Sequence, residues 1–180
     1  MSSRSSVALV LLVGPQASGK SAVARALSDD LRRQGELVAL VELDQIAAMA
    51  LPTLPDWARA AHIFGLVAGA WARTELTCVI AEGISTREEV SNFVGQLPEA
   101  VVLMTVAVTT SFDVALVRAQ SDPTRGISRD PDFLRARYAE WLRELPRIDA
   151  DLLLDTSEVS VEQGVRLIAE AIEMARSSRT

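Results

Sequence analysis

The chain has 180 residues, 49% of them hydrophobic and 23% charged, with a formal net charge of −6. That length predicts a single domain over 1–180 with enough chain for a substantial core. The dispersed acidity argues against nucleic-acid binding, which needs a basic footprint. A lone cysteine, Cys78, allows no internal disulfide and fits a reducing cytoplasm. The apolar stretch within Met1–Val13 lacks a small-residue cleavage site and is too short to cross a bilayer, and no other segment is long and apolar enough, so no membrane association is expected.

The first element is the run 6–13, SVALVLLV, whose continuous aliphatic character predicts a central parallel strand buried on both faces. It leads into Gly14-Pro15-Gln16-Ala17-Ser18-Gly19-Lys20-Ser21, which matches the P-loop pattern G-x-x-x-x-G-K-[ST]. In that pattern backbone N–H groups cradle phosphates, the lysine reaches the β/γ oxygens and the hydroxyl ligates Mg²⁺. Lys20 is the chain's only lysine; every other cationic side chain among the 18 Lys and Arg is an arginine. A compact ammonium suits a point contact to a terminal phosphate better than a planar guanidinium. Val23, Leu27 and Leu31 then fall at helical spacing, so strand, glycine-bounded loop and helix follow in the order that phosphate binding requires. The whole segment from Gly14 to Ala22 is therefore assigned to nucleotide binding.

After the Gln34-Gly35 stop, 37–41 reads as a second strand, 56–73 as a helix capped near Pro55-Asp56, and 77–81 as a third strand. Trp57 and Trp71 in that helix are expected to be core residues. Thr86-Arg87-Glu88-Glu89 has the form of a capping box opening a helix over 86–94. Then come a strand at 101–108, a helix at 112–118, a polar break at 121–130, and a helix from Pro131 with Asp130 as its cap. A fifth strand at 152–154 and an amphipathic helix at 161–175 complete the chain. Five apolar strands separated by helices predict an α/β fold: a three-layer α/β/α sandwich on a five-stranded parallel sheet, of the P-loop NTPase type. Ligands in such sheets lie outside the carboxyl ends of the strands.

Those ends carry acids. Asp44, just past strand two, can aim or deprotonate an acceptor hydroxyl, or alternatively cap a short helix over 45–49. Glu82, ending strand three, stands where a carboxylate holds Mg²⁺ directly or through water, with Ser21 as the other metal ligand; a structural hydrogen bond is the alternative. Glu42 is read as structural. Around the polar break, a lid-like segment over 121–133, Arg118, Arg125 and Arg129 can close on transferring phosphoryl charge; surface ion pairs to Asp122, Asp130 and Asp132 are the plainer reading. The loop at Thr156 is placed near the nucleotide base, or else caps the last helix. The apolar insertion over 49–57 offers little to grip a charged acceptor, so a neutral, partly apolar hydroxyl compound is expected, and the single histidine, His62, is read as a helix-face residue.

Together with 45–49, Gly69-Ala70-Trp71-Ala72 and 151–157, these features resemble the P-loop small-molecule kinases of the nucleoside-monophosphate-kinase-like group, and within it the chloramphenicol phosphotransferase-like proteins. The resemblance implies ATP and Mg²⁺, Asp44 as base, Lys20 on the phosphates, lid arginines such as Arg125 and Arg129, and a small-molecule hydroxyl acceptor. The sequence departs from the family at Glu82, where aspartate is usual. An acid kinase of the shikimate or gluconate type, with Arg59 and Arg87 as the candidate acceptor-binding arginines, and a nucleotide-binding switch without an acceptor are the alternatives. Oligomeric state is left open.

Overall fold

The computed structural model describes residues 7–54 and 56–178. Ser6 of the first expected strand and Pro55 of the expected cap lie outside them. The strands are β1 (Ala8–Val13), β2 (Val38–Glu42), β3 (Cys78–Glu82), β4 (Val102–Thr109) and β5 (Leu152–Asp155). The helices are α1 (Lys20–Arg33), α2 (Leu43–Ala48), α3 (Trp57–Trp71), α4 (Arg87–Val94), α5 (Phe112–Ser121), α6 (Pro131–Glu144) and α7 (Val161–Ser177). The strands form one parallel sheet in the order β2-β3-β1-β4-β5.

β1 lies at the centre because both of its faces are apolar. Leu9, Leu11 and Val13 pack under Phe64 and Ala68 of α3, Phe93 of α4 and Trp141 of α6. Ala8, Val10 and Leu12 face Val23 and Leu27 of α1 and Ile168 and Ile172 of α7. Each fully buried leucine contributes about 2–3 kcal/mol, so the strand must lie between two layers rather than at a surface. The chain leaves β1 for β2 in one direction and, after β3, enters β4 on the other side. That reversal opens a crevice at the carboxyl ends of β1, β3 and β4.

Local signals place the elements. α1 stops in a Schellman motif: Glu36 N donates to Leu31 O (3.0 Å) and Gly35 N to Arg32 O (3.0 Å), with Gly35 at φ 89°. The capping box forms at Thr86, whose hydroxyl accepts from Glu89 N while the Glu89 carboxylate accepts from Thr86 N. Asp56 and Asp130 cap α3 and α6 by accepting from Arg59 N and Phe133 N. One expectation fails. Trp57 and Trp71 are half exposed; the face of α3 that enters the core carries Ala60, Phe64 and Ala68, with Gly65 and Gly69 buried beside Gln96. Gly65 and Gly69 stand where a Cβ would lie 2.6 Å from the Gln96 side chain and 2.5 Å from Gln96 O, so only glycine permits so close an approach to the segment after α4. No helix among the described residues is long and apolar enough to cross a membrane.

Candidate active site

The loop between β1 and α1 is a nest of backbone donors. Gly14 (φ 152°), Ala17 (φ 59°) and Gly19 (φ 99°) all have positive φ, which turns successive N–H groups toward one concavity. A Cβ at Gly14 would lie 2.1 Å from Val108 O, so only glycine lets the loop leave β1 beside β4. The start of α1 adds the positive end of its dipole. Lys20 is buried and folds back across the loop, donating to Pro15 O at 2.8 Å. Burial holds its ammonium below the usual lysine range; Glu82, Asp44 and Glu89 oppose that shift, and Arg125 adds to it. An incoming polyphosphate would supply the compensation this cation lacks.

Ser21 donates to Glu82 Oε1 at 2.9 Å. Glu82 is buried at the end of β3, in register with Leu12 of β1 and Glu42 of β2. Burial pushes its carboxyl above the ordinary range, against the pull of Lys20 and the Ser21 hydrogen bond. A hydroxyl and a carboxylate beside a phosphate cradle are a donor set suited to Mg²⁺, which typically takes one or two carboxylates and fills its other positions with phosphate oxygens and water. The described residues contain no group of three or more His, Cys, Asp or Glu that could hold a metal ion unaided. The residues present therefore fit magnesium arriving with a nucleotide.

Asp44 lies exposed in the first turn of α2, close enough for its charge to act on both Lys20 and Glu82. It is not a cap: the capping position of α2 is Glu42, and no side chain caps that helix. Glu42 instead pairs with Arg25 (2.7 Å), the structural role expected for it.

The expected lid is a 3₁₀ segment, Pro123–Arg129, started by Asp122 and kinked at Gly126 (φ 52°). Arg125 pairs with Asp122 (3.3 Å) yet still acts on Lys20 across the crevice. Arg129 is exposed and has no ion pair among the described residues. Arg118 and Thr156 meet behind the phosphate loop. Arg118 donates to the Thr156 hydroxyl (2.8 Å) and carbonyl (2.9 Å), and the Thr156 hydroxyl donates to Ser18 O (2.6 Å). Both residues thus brace the loop itself. Sequence reasoning missed a third brace: the Tyr138 hydroxyl of α6 donates to Gln16 O (3.2 Å). Tyr138 lies far from the motif in sequence and carries no pattern of its own. Ser18 Oγ is buried without a partner, an orphan in the middle of the cradle.

No protein-family model matches the chain, and no curated protein sequence matches it. Solved structures do. A shikimate kinase from Acinetobacter baumannii, in complex with shikimate, superposes with a TM-score of 0.64 at 18% identity, covering 94% of this chain and 95% of that one. A gluconokinase from Sinorhizobium meliloti gives 0.63 at 17%, covering 96% and 98%. The Mycobacterium tuberculosis APS kinase, in complex with AMPPNP and APS, gives 0.68 at 17%, covering 93% and 98%. The fold is that of the P-loop kinases. At these identities the likeness extends to architecture and not to substrate.

Proposed function

We propose that the protein is an ATP-dependent kinase that transfers the γ-phosphoryl group to a hydroxyl of a small molecule. One observation carries the reading: the cradle, its buried ammonium, the Ser21–Glu82 pair and an exposed carboxylate just past the adjacent strand all lie at the carboxyl end of the sheet. A nucleotide-binding switch has no need of Asp44 there.

In this reading the backbone donors of the loop beyond Pro15, together with Lys20, bind the β- and γ-phosphates, and Arg118 and Thr156 hold the loop in shape. Ser21 and Glu82 would hold magnesium, which would supply neutralisation of phosphate charge. Asp44 accepts the hydroxyl proton of the acceptor or aims its oxygen. Arg125 and Arg129 close over the equatorial oxygens, where a positioned cation stabilises the spreading charge. Of the two arginines the acid-kinase alternative would use, one is already paired. Arg59 is exposed and paired to Asp56 (3.3 Å), and Arg87 is exposed at the start of α4.

The reading is tested by measuring ATP binding and acceptor-stimulated ADP release for the native protein and for Lys20→Ala. The variant is expected to lose about 100-fold or more in turnover, the scale of removing one preorganised donor to transition-state charge. Native-level turnover in Lys20→Ala sinks the reading.

A further inference from the structure

Beside the crevice, between α3 and α4, lies a cavity of about 590 Å³, the size of a small-ligand pocket. One part of its wall is tied to the phosphate loop through the backbone. Gly14 N donates to Ile84 O (3.1 Å), so the segment leading to Thr86 on the cavity wall runs alongside the phosphate loop. Glu89, another wall residue, acts electrostatically on Lys20.

We propose that this cavity takes the cationic part of the acceptor, an amine- or ammonium-bearing alcohol whose hydroxyl reaches Asp44. The proposal rests on the kinase reading and adds the charge class of the substrate.

The wall is negative where it is charged. Its polar side chains are His62, Thr86, Glu88, Glu89, Ser91, Asn92 and Gln96, and among the described residues no lysine or arginine lines it. Glu88 is an exposed carboxylate. Glu89 accepts from Ser85 N (2.9 Å), Thr86 N (3.0 Å) and the Thr86 hydroxyl (3.0 Å), all on Oε2, which leaves Oε1 for a ligand. Gln96 adds a buried carbonyl oxygen with no donor, the negative end of an uncompensated dipole. Of the arginines nearest in the chain, Arg87 is exposed at the start of α4 and is not part of the wall, and two others are engaged. Arg59 pairs with Asp56, and Arg73 donates to Gly69 O (2.6 Å) and Gln96 O (3.3 Å). An anionic acceptor would meet two carboxylates with no lysine or arginine on the wall itself to offset them, whereas an ammonium would be paired on entry. Ala58 and Ala61 give the cavity an apolar side able to hold the carbon skeleton.

The test uses the full chain with ATP, magnesium and acceptors matched in skeleton: glucosamine, glucose and gluconate, then aminopropanol, propanol and lactate. ADP release is read for each, on the native protein and on Glu88→Gln, with circular dichroism to confirm folding. The amine member of a set is expected to show a KM about tenfold or more below its neutral counterpart, and Glu88→Gln to raise that KM while leaving the neutral one in place. Neutral or carboxylate members that match the amine, or amines that give no stimulation, overturn the proposal. ATP binding measured separately on native protein and Lys20→Ala keeps the two ideas apart: a protein that binds no ATP defeats the kinase reading itself.

Discussion

Two ionic clusters, one buried and one half-buried, sit at opposite ends of one sheet, and their environments push them in opposite directions. At the carboxyl end, burial is the largest influence on both Lys20 and Glu82, drawing the lysine down and the glutamate up, each toward its neutral form. At the amino end, Arg176 of α7 binds Glu36 through both nitrogens (3.0 Å to Oε2) and donates to Thr77 O (2.8 Å). There the mutual hydrogen bond is the largest influence, and it holds the glutamate below and the arginine above their ordinary values. Nearby Cys78 is buried, its thiol pushed up to about 12, which leaves it an inert core residue. The lesson is one of compensation. The amino-end pair is complete and serves the fold; the carboxyl-end pair is under-compensated, as the proposed nucleotide site requires.

The contrast can be broken most directly at Asp44. Because it is exposed and caps nothing, Asp44→Asn is expected to cost about 10²–10⁴-fold in acceptor phosphorylation while Tm and ATP affinity stay near native. A lowered Tm with retained activity would reverse the assignment. At the other end Arg176→Met should do the converse, lowering stability by about 2–4 kcal/mol in urea titration and leaving kcat alone, since it strands the half-buried Glu36 carboxylate. The pH dependence sharpens this. A carboxyl held below its unfolded value of 4.5 contributes stability that is fully present above that pH and is lost as pH falls through the folded value. Glu36→Gln should therefore flatten the native decline in stability below about pH 4.5 in thermal melts; an unchanged decline assigns it to other carboxyls. The smallest effect is expected for Tyr138→Phe. Losing its bond to Gln16 O should cost about 1 kcal/mol and raise the KM for ATP a few-fold with kcat little changed.

Much of the fold was readable because its signals are local. The apolar run of β1, the Gln34-Gly35 stop, the Thr86–Glu89 box and the Asp130-Pro131 start each act within a few residues, and each forms where the sequence predicts. The phosphate loop was readable for the same reason. Long-range matters were not. Whether Trp57 faced the core depended on how closely α3 approaches Gln96, and whether Asp44 capped α2 depended on where β2 ends.

The sequence by itself determined the order of strands and helices and put one lysine in a glycine-bounded loop, since periodicity and turn chemistry are properties of neighbours in the chain. Only the tertiary structure decided which charges share a low-dielectric crevice, which hydroxyls brace the loop from behind, and that the cavity beside it holds carboxylates and no arginine. Those outcomes depend on distances between segments remote in sequence, which no local pattern encodes.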